Sequence, residues 1–448
     1  MCGIIGIYNA HKASFLTYIS LYSLQHRGQE SCGIAVYDRD FKYYNSMGLV
    51  WESFSRDILE ELGGRYSVGH VRYSTAGMSN IINSQPLVFN TKYGKFCIAH
   101  NGNIVNSREL KEKLYRKGSI FQTTTDSEII AHLISHSPKS SFMDALIDGV
   151  MELKGAFSFI FMYVDRKKGP VLVALRDRWG FRPLVIGKRG NSWAFSSETC
   201  ALDSIGYKYF GEVMPGEVVW VCESSLKRQR YFEVKRFYRC IFEQVYFARP
   251  DSVVLGKTIA MTRYNIGRFL AREFNNRDYD YVSGVPDSGT NYAIGFSHES
   301  GIKFMNVFMK NHYSPRSFIQ PNQSIREFVA RLKLAPVRDF IKGKKIILID
   351  DSIVRGTTSK KIIEKLRKCG AKKIALLIAS PPIKGPCYYG IDTPRDDELI
   401  ANRMSIKEIR DFIGVDELYY LTLCSLIKGC GDDGNFCTAC FDRNYPIL

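Results

Sequence analysis

A cysteine at position 2 can bring a nucleophile and its base together on one residue, because removal of Met1 would leave a thiol beside a free α-amine. An amine whose pKa lies near 8 can take the thiol proton directly or through water, so thiolate forms without a histidine partner. Taken alone, Cys2 reads better as a residue that merely follows the initiator. Three further segments add to it: His26-Arg27-Gly28-Gln29-Glu30-Ser31, His70-Val71-Arg72-Tyr73-Ser74-Thr75 and His100-Asn101-Gly102-Asn103. Arg72 offers a planar fork suited to a free α-carboxylate, and Asp126 in Thr124-Thr125-Asp126-Ser127 can hold an α-ammonium. Asn101 and the Gly102 backbone N–H are suitable donors for an oxyanion. Plainer readings stand beside these: Asn-Gly as a turn, Asp126 as a helix N-cap, Arg72 as half of a surface ion pair.

A second set of residues lies in the run from Ile346 to Thr358, an apolar strand that ends in Asp350 and Asp351 and continues as Ser352-Ile353-Val354-Arg355-Gly356-Thr357-Thr358. Adjacent carboxylates at the C-terminal edge of a strand repel each other, and a cation or a cluster of hydroxyls relieves that repulsion. Arg355, Gly356, Thr357 and Thr358 then supply a flexible turn and two hydroxyls at a helix N-terminus, where unpaired N–H groups and the helix dipole attract phosphate. An acidic turn followed by an ordinary N-cap is the plainer alternative for the two acids. Val285-Pro286-Asp287-Ser288-Gly289 follows another strand, and the basic stretch from Lys310 to Arg338 could close over a polyanion. Finally, Cys437 and Cys440 form a C-x-x-C pair whose thiolates can reach one metal. Spacing alone leaves zinc and an iron–sulfur cluster both open.

The elements that must position these groups differ between the two halves of the chain. Up to about Lys235, short period-two segments such as Cys2 to Tyr8, Ser67 to Val71, Phe96 to His100 and Ala156 to Val164 predict antiparallel sheets, with helices over Phe15 to Leu24 and Ser127 to Ser135. Beyond it, helix Lys257 to Phe274 precedes strand Tyr281 to Val285. Strand Lys345 to Ile349, helix Thr358 to Lys368, a cap at Gly370 and strand Ile374 to Ser380 make a βαβ unit and hence a parallel sheet. The expected domains are therefore residues 1–235 and 236–448 of an α/β protein, in line with 448 residues being too many for one core.

The first set of segments resembles the glutaminase domain of the N-terminal-nucleophile amidotransferases. That resemblance implies a four-layer αββα domain in which Cys2 attacks the side-chain amide of glutamine. Arg72 and Asp126 would grip the amino-acid end, and Asn101 and Gly102 would form the oxyanion hole. The second run resembles the signature by which type I phosphoribosyltransferases bind phosphoribosylpyrophosphate (PRPP). Together the two motifs resemble the glutamine PRPP amidotransferases. This implies that glutamine-derived ammonia is placed on PRPP to give 5-phosphoribosylamine, glutamate and pyrophosphate, at the start of purine synthesis. It also implies Mg2+ at Ser288, Asp350 and Asp351, PRPP contacts from Ser352 and the 355–358 segment, and feedback by purine nucleotides such as AMP and GMP. In the iron–sulfur branch of that family Cys240, Cys387, Cys437 and Cys440 would hold a [4Fe-4S] cluster. His312, Pro315 and Ser317 stand where the family commonly has Arg, Gly and Thr, and the start at Met1-Cys2 implies no propeptide beyond Met1.

The gross numbers narrow the field without choosing within it. A net charge of +17 suits nucleic acid, an acidic membrane surface or a polyanionic small substrate. No zinc-finger, bZIP or RRM pattern presents the charge, which argues against nucleic acid. No apolar run approaches the roughly 20 residues of a membrane span, and no signal peptide precedes the folded pattern, so a cytoplasmic protein is expected. Twelve cysteines then read as thiols, ligands or nucleophiles, with Cys32, Cys97, Cys200, Cys222 and Cys369 packing as small apolar residues. Another glutaminase-fused amidotransferase, or a non-catalytic sensor of PRPP or nucleotides, are the competing functions. A homo-oligomer, dimer or tetramer, is the expected assembly.

Overall fold

The computed structural model describes residues 1–448 except 74–76, 312–333, 394, 432–433 and 448. Ser74 and Thr75 of the second motif, the three loop departures at His312, Pro315 and Ser317, and most of the basic stretch from Lys310 to Arg338 lie outside the described residues.

The N-terminal half is two antiparallel sheets laid face to face. The first has seven strands, with Gly3–Tyr8 at its centre between Ser192–Ser196 and Tyr66–Arg72. The second has six, with Gly155–Asp165 between Gly94–Ile104 and Gly169–Arg176. Period-two alternation feeds two cores at once. In Gly155–Asp165, Ile160 and Met162 pack with Ile4, Tyr8 and Val68 of the other sheet. Phe157, Phe159 and Phe161 point instead to the helices Glu128–His136 and Phe142–Met151. On the far side, Ile5 and Ile7 face the helix Ala13–Ser23. Each strand residue thus has an apolar layer above or below it, which produces the order helix, sheet, sheet, helix. Fully burying one such Phe or Ile contributes about 1.5–3 kcal/mol.

The C-terminal half is built on a parallel sheet of strands Tyr281–Gly284, Lys345–Asp350, Lys373–Ile378 and Glu417–Tyr420, in that order. Both faces are covered, which is why its strands read as continuous apolar runs. Ile347 and Ile349 pack towards the helices Ile259–Glu273 and Thr290–Ser300, while Ile346 and Leu348 pack towards Thr357–Lys368 and Ile406–Ile413. The predicted helix after the acid pair starts one residue early, at Thr357, and Gly370 follows its end at φ +85°.

One short pairing could not be expected from periodicity. Arg239–Cys240, just past the first half, runs parallel to Phe436–Cys437 near the C-terminus, with Cys240 opposite Cys437. Cys32, Cys97, Cys200 and Cys222 are buried in cores as expected, Cys369 is half-buried, and none of the twelve cysteines is in a disulfide. Among the described residues no helix is long and apolar enough to cross a membrane.

Candidate active site

Cys2 sits at the entry to the central strand of the first sheet, 8% exposed. Its backbone nitrogen donates to Asn101 Oδ1 at 3.1 Å, and its thiol lies 3.6 Å from the Tyr73 carbonyl oxygen. Asn101 is placed by the second sheet, in the strand Gly94–Ile104. Its Oδ1 turns to Cys2, while its Nδ2 is buried without a hydrogen-bond partner. An orphaned buried donor beside a thiol is costly unless something is meant to fill it. Gly102 follows at φ +152°, and a Cβ there would stand 2.0 Å from the Ala156 carbonyl oxygen, so no side chain fits.

The crossing of the two sheets brings the remaining glutaminase candidates to the same end of the sandwich. Asp126 is 6% exposed and accepts from the Ile104 N–H at 2.8 Å, so it is tied to the strand that carries Asn101. It does not cap the following helix, whose N-cap is Ser127. Arg72 is buried rather than on the surface, and its guanidinium is paired with Glu30 and donates to the Met78 carbonyl at 3.2 Å. Glu30 lies inside the first quoted segment, yet nothing in its spacing marked it as the partner of Arg72. His70 and His100, which head two of the motifs, are buried, and His70 Nε2 donates to the His100 carbonyl at 3.1 Å. Burial, with Arg72 and His100 near, pushes the His70 imidazole down to about 3, so it is neutral.

The acid pair lies at the C-terminal edge of the parallel sheet. Asp350 ends its strand, accepts from the Asp351 N–H at 3.0 Å and from Ser288 Oγ at 3.5 Å. Ser352 Oγ donates to Asp351 at 2.5 Å. Burial and the neighbouring carboxylate hold Asp350 well above the usual carboxylate range, and burial raises Asp351. Two buried acids with raised pKa values are what a divalent cation or a polyhydroxyl ligand would relieve. Gly356, at φ +76°, N-caps the helix Thr357–Lys368 and leaves Thr357 and Thr358 exposed in its first turn. Arg355 donates to Glu398 at 2.9 and 2.6 Å. Within the run, the hydrogen bonds to the two acids come from the Asp351 N–H and Ser352 Oγ.

The four cysteines, from positions 240, 387, 437 and 440, line a single cavity together with Arg182 and Tyr389. Burial pushes the Cys240 thiol up to about 11 and raises Cys437 and Cys440, with the neighbouring sulfurs adding to each. Cys424 and Cys430 are not part of its lining. No group of three or more His, Cys, Asp or Glu side chains among the described residues is arranged as a ready metal site. The shared cavity and the register of Cys240 with Cys437 are therefore the observations that bear on a cluster.

A half-exposed tyrosine, Tyr246, feels the charges of both centres. The Tyr246 hydroxyl is pushed up by burial and then by Asp351, Asp350 and Tyr73, so the ring is within electrostatic reach of the acids and of the residue beside Cys2. No periodicity distinguished it.

Layering and site together define an N-terminal-nucleophile glutamine amidotransferase fold joined to a phosphoribosyltransferase fold. A glutamine amidotransferase domain family matches residues 70–204. The chain is 46% identical to amidophosphoribosyltransferase 2, chloroplastic, of Arabidopsis thaliana over 100% of its own length and 79% of that protein. It is 43% identical to the amidophosphoribosyltransferase of Bacillus subtilis, over 99% and 94% of the two chains. The solved structure of the glutamine PRPP amidotransferase from B. subtilis, complexed with ADP and GMP, superposes with a TM-score of 0.92 at 42% identity, covering 100% of this chain and 98% of that one. A further solved structure, described as the allosteric regulatory enzyme of purine biosynthesis, does so at 0.93 and 42%. The chain belongs to the amidophosphoribosyltransferase family.

Proposed function

We propose that this protein hydrolyses glutamine at Cys2 and transfers the ammonia to PRPP at the Asp350–Asp351 edge, giving 5-phosphoribosylamine, glutamate and pyrophosphate, the opening step of purine synthesis. The observation that carries the reading is the split use of Asn101, whose oxygen holds the Cys2 nitrogen while its buried amide nitrogen is unpaired. Removal of Met1 turns that nitrogen into the α-amine that takes the thiol proton.

The thiolate adds to the side-chain carbonyl carbon of glutamine, and the developing oxyanion is met by Asn101 Nδ2 and the Gly102 N–H. Collapse expels ammonia, carrying the proton passed on by the amine, and leaves a glutamyl thioester that water hydrolyses to glutamate and free thiol. Arg72 and Asp126 hold the amino-acid end, with Glu30 yielding the Arg72 fork to the substrate carboxylate. Ammonia passes Tyr246 and attacks C1 of PRPP, and the C1–O bond to pyrophosphate breaks. Ser288, Asp350 and Asp351 would hold Mg2+, which neutralises pyrophosphate charge when bound. Ser352, Gly356, Thr357 and Thr358 present hydroxyls and N–H groups to the 5'-phosphate, while Arg355 positions the turn through Glu398.

The two domains divide near Lys235, between the strand Ser225–Arg230 and Arg239–Cys240. Cys240, Cys387, Cys437 and Cys440 suit a [4Fe-4S] cluster as a structural tie between distant parts of the chain, with the Arg182 guanidinium offsetting thiolate charge. Twelve cysteines with no disulfide among them fit a reducing compartment such as the cytoplasm. Purine nucleotides are the regulators to expect by kinship with the ADP- and GMP-bound relative, and we extend the expectation of a homo-oligomer.

Pyrophosphate and glutamate release, measured with PRPP and either glutamine or ammonia, test the reading. Cys2→Ala should abolish glutamine-dependent synthesis and spare the ammonia-dependent route. Asn101→Ala should cost the glutamine route about 10²–10³-fold. Equal loss of both routes in Cys2→Ala would remove Cys2 from its role.

A further inference from the structure

Beneath the nucleophile lies a set of buried charges that the reaction does not consume. Arg27, Arg182, Glu198 and Glu243 are 1%, 0%, 2% and 3% exposed. Arg27 Nε donates to the Cys2 carbonyl at 3.1 Å. Its Nη1 is paired with Glu198, and its Nη1 and Nη2 reach the Glu243 carboxylate at 3.1 and 2.8 Å. Arg182 Nη1 donates to the same carboxylate at 3.4 Å, and its Nε donates to the Tyr389 carbonyl at 2.9 Å. Two guanidinium groups thus face two carboxylates. Charges removed from water persist only while paired, so withdrawing one carboxylate obliges the guanidinium above it to move.

The two carboxylates come from different places. Glu198 belongs to the glutaminase half, where it also accepts from His26 Nε2 at 2.8 Å and stands two residues past the strand Ser192–Ser196 that flanks Gly3–Tyr8. Glu243 comes from the other half, as the first residue of the single π-helical turn Glu243–Phe247. Three residues on in that same turn is Tyr246, the ring within reach of Asp350 and Asp351. A single helical turn therefore carries the carboxylate that holds the guanidinium under Cys2 and, three residues on, a ring in the field of the acceptor acids.

We propose that Glu243 is a positioning residue for glutamine hydrolysis: from the acceptor half it clamps Arg27, and through Arg27 sets the Cys2 carbonyl and thiol in register with Asn101 and Gly102. This rests on the assignment of Cys2 as the glutaminase nucleophile. The glutamine grip at Arg72 and Asp126 does not depend on Glu243, so the effect falls on turnover rather than on binding.

Glu243→Gln keeps the shape and loses the charge, and Glu243→Asp keeps the charge but retracts it by one methylene. In the full-length holoprotein, glutamine hydrolysis by Glu243→Gln should fall about 10- to 100-fold in kcat with KM within about 2-fold of the parent. Ammonia-dependent synthesis should stay within about 2-fold, and Glu243→Asp should lie between Gln and parent. A parent-like kcat in both variants, or equal losses with glutamine and ammonia, would overturn the role. If Glu243→Gln is insoluble, Glu243→Asp decides by itself: a fall of about 3-fold or more in kcat alone supports the clamp, and an unchanged kcat refutes it. A parent protein that hydrolyses no glutamine would overturn the nucleophile assignment and this inference with it, whereas an active parent with active variants overturns this inference only.

Discussion

Gly390 meets Gly102 so closely that a Cβ on Gly390 would stand 2.9 Å from the Gly102 carbonyl carbon. The second half of the chain therefore rests directly on the proposed oxyanion position of the first. Asn103 Nδ2 donates to the Tyr388 carbonyl at 2.8 Å, which fastens the contact on one side, and Cys387 of the cysteine cavity lies just before it. Gly390 also sits at φ +101°, where a side chain adds strain of about 1–2 kcal/mol. Gly390→Ala should consequently displace Gly102 and reduce glutamine-dependent synthesis by about 10-fold or more, with the ammonia-dependent route little changed. Parallel assays with the two nitrogen donors measure this, and an unaffected glutamine route would show that the contact carries no function.

The acceptor site separates in the opposite sense. Asp350→Asn with Asp351→Asn should end PRPP turnover with glutamine and with ammonia alike, while slow, uncoupled glutamine hydrolysis continues. Burial raises both acids and the neighbouring carboxylate raises Asp350 further, so the double substitution relieves that cost and the variant should melt no lower than the parent without Mg2+. Pyrophosphate release from PRPP and ammonia at the parent rate would mean that the acceptor site lies elsewhere.

Acid should loosen the glutaminase half through His70. Its folded-state pKa, about 3, is far below the ordinary value near 6.5, so the unfolded chain binds more protons throughout that window. Stability from this residue is fully present above pH 6.5 and is lost as pH falls, by about 2 kcal/mol between pH 6.5 and 5. Burial lowers His100 as well, which acts in the same direction. Chemical denaturation at pH 7.5, 6 and 5 should show the decline, and His70→Gln, which can still donate to the His100 carbonyl, should flatten it. A parent curve with no fall over that range would contradict the neutral buried imidazole.

Protein prepared without oxygen should contain iron and sulfide in equal amounts, held by Cys240, Cys387, Cys437 and Cys440. Because ligation stabilises only the folded state, Cys437→Ser should give little soluble protein, and air should inactivate the parent. Stoichiometric zinc with negligible iron would replace the cluster by a zinc site and leave the amidotransferase reading intact.

Much of this architecture was legible before any coordinates. The period-two pattern in Ala156 to Val164 announced a strand of an antiparallel sheet, and the apolar run ending in Asp350 and Asp351 announced a parallel strand with a helix behind it. Both signals are local, since the side-chain period of a strand and the cap of a helix are written within a dozen residues. Cys2, Asn101, Gly102 and the acid pair were readable for the same reason, each being a residue type with distinctive chemistry inside a short motif.

What the chain alone could not disclose is which distant residues meet. Glu30 on Arg72, Glu243 on Arg27, Cys240 beside Cys437 and Gly390 on Gly102 join positions 42, 216, 197 and 288 residues apart. Arg355, in the middle of the most legible motif, is paired with Glu398, 43 residues on. A carboxylate or a glycine has no periodicity that names its partner. Only the packing of one half against the other, which closes those long loops at once, decides which buried charge is paired and which donor is left open for a substrate.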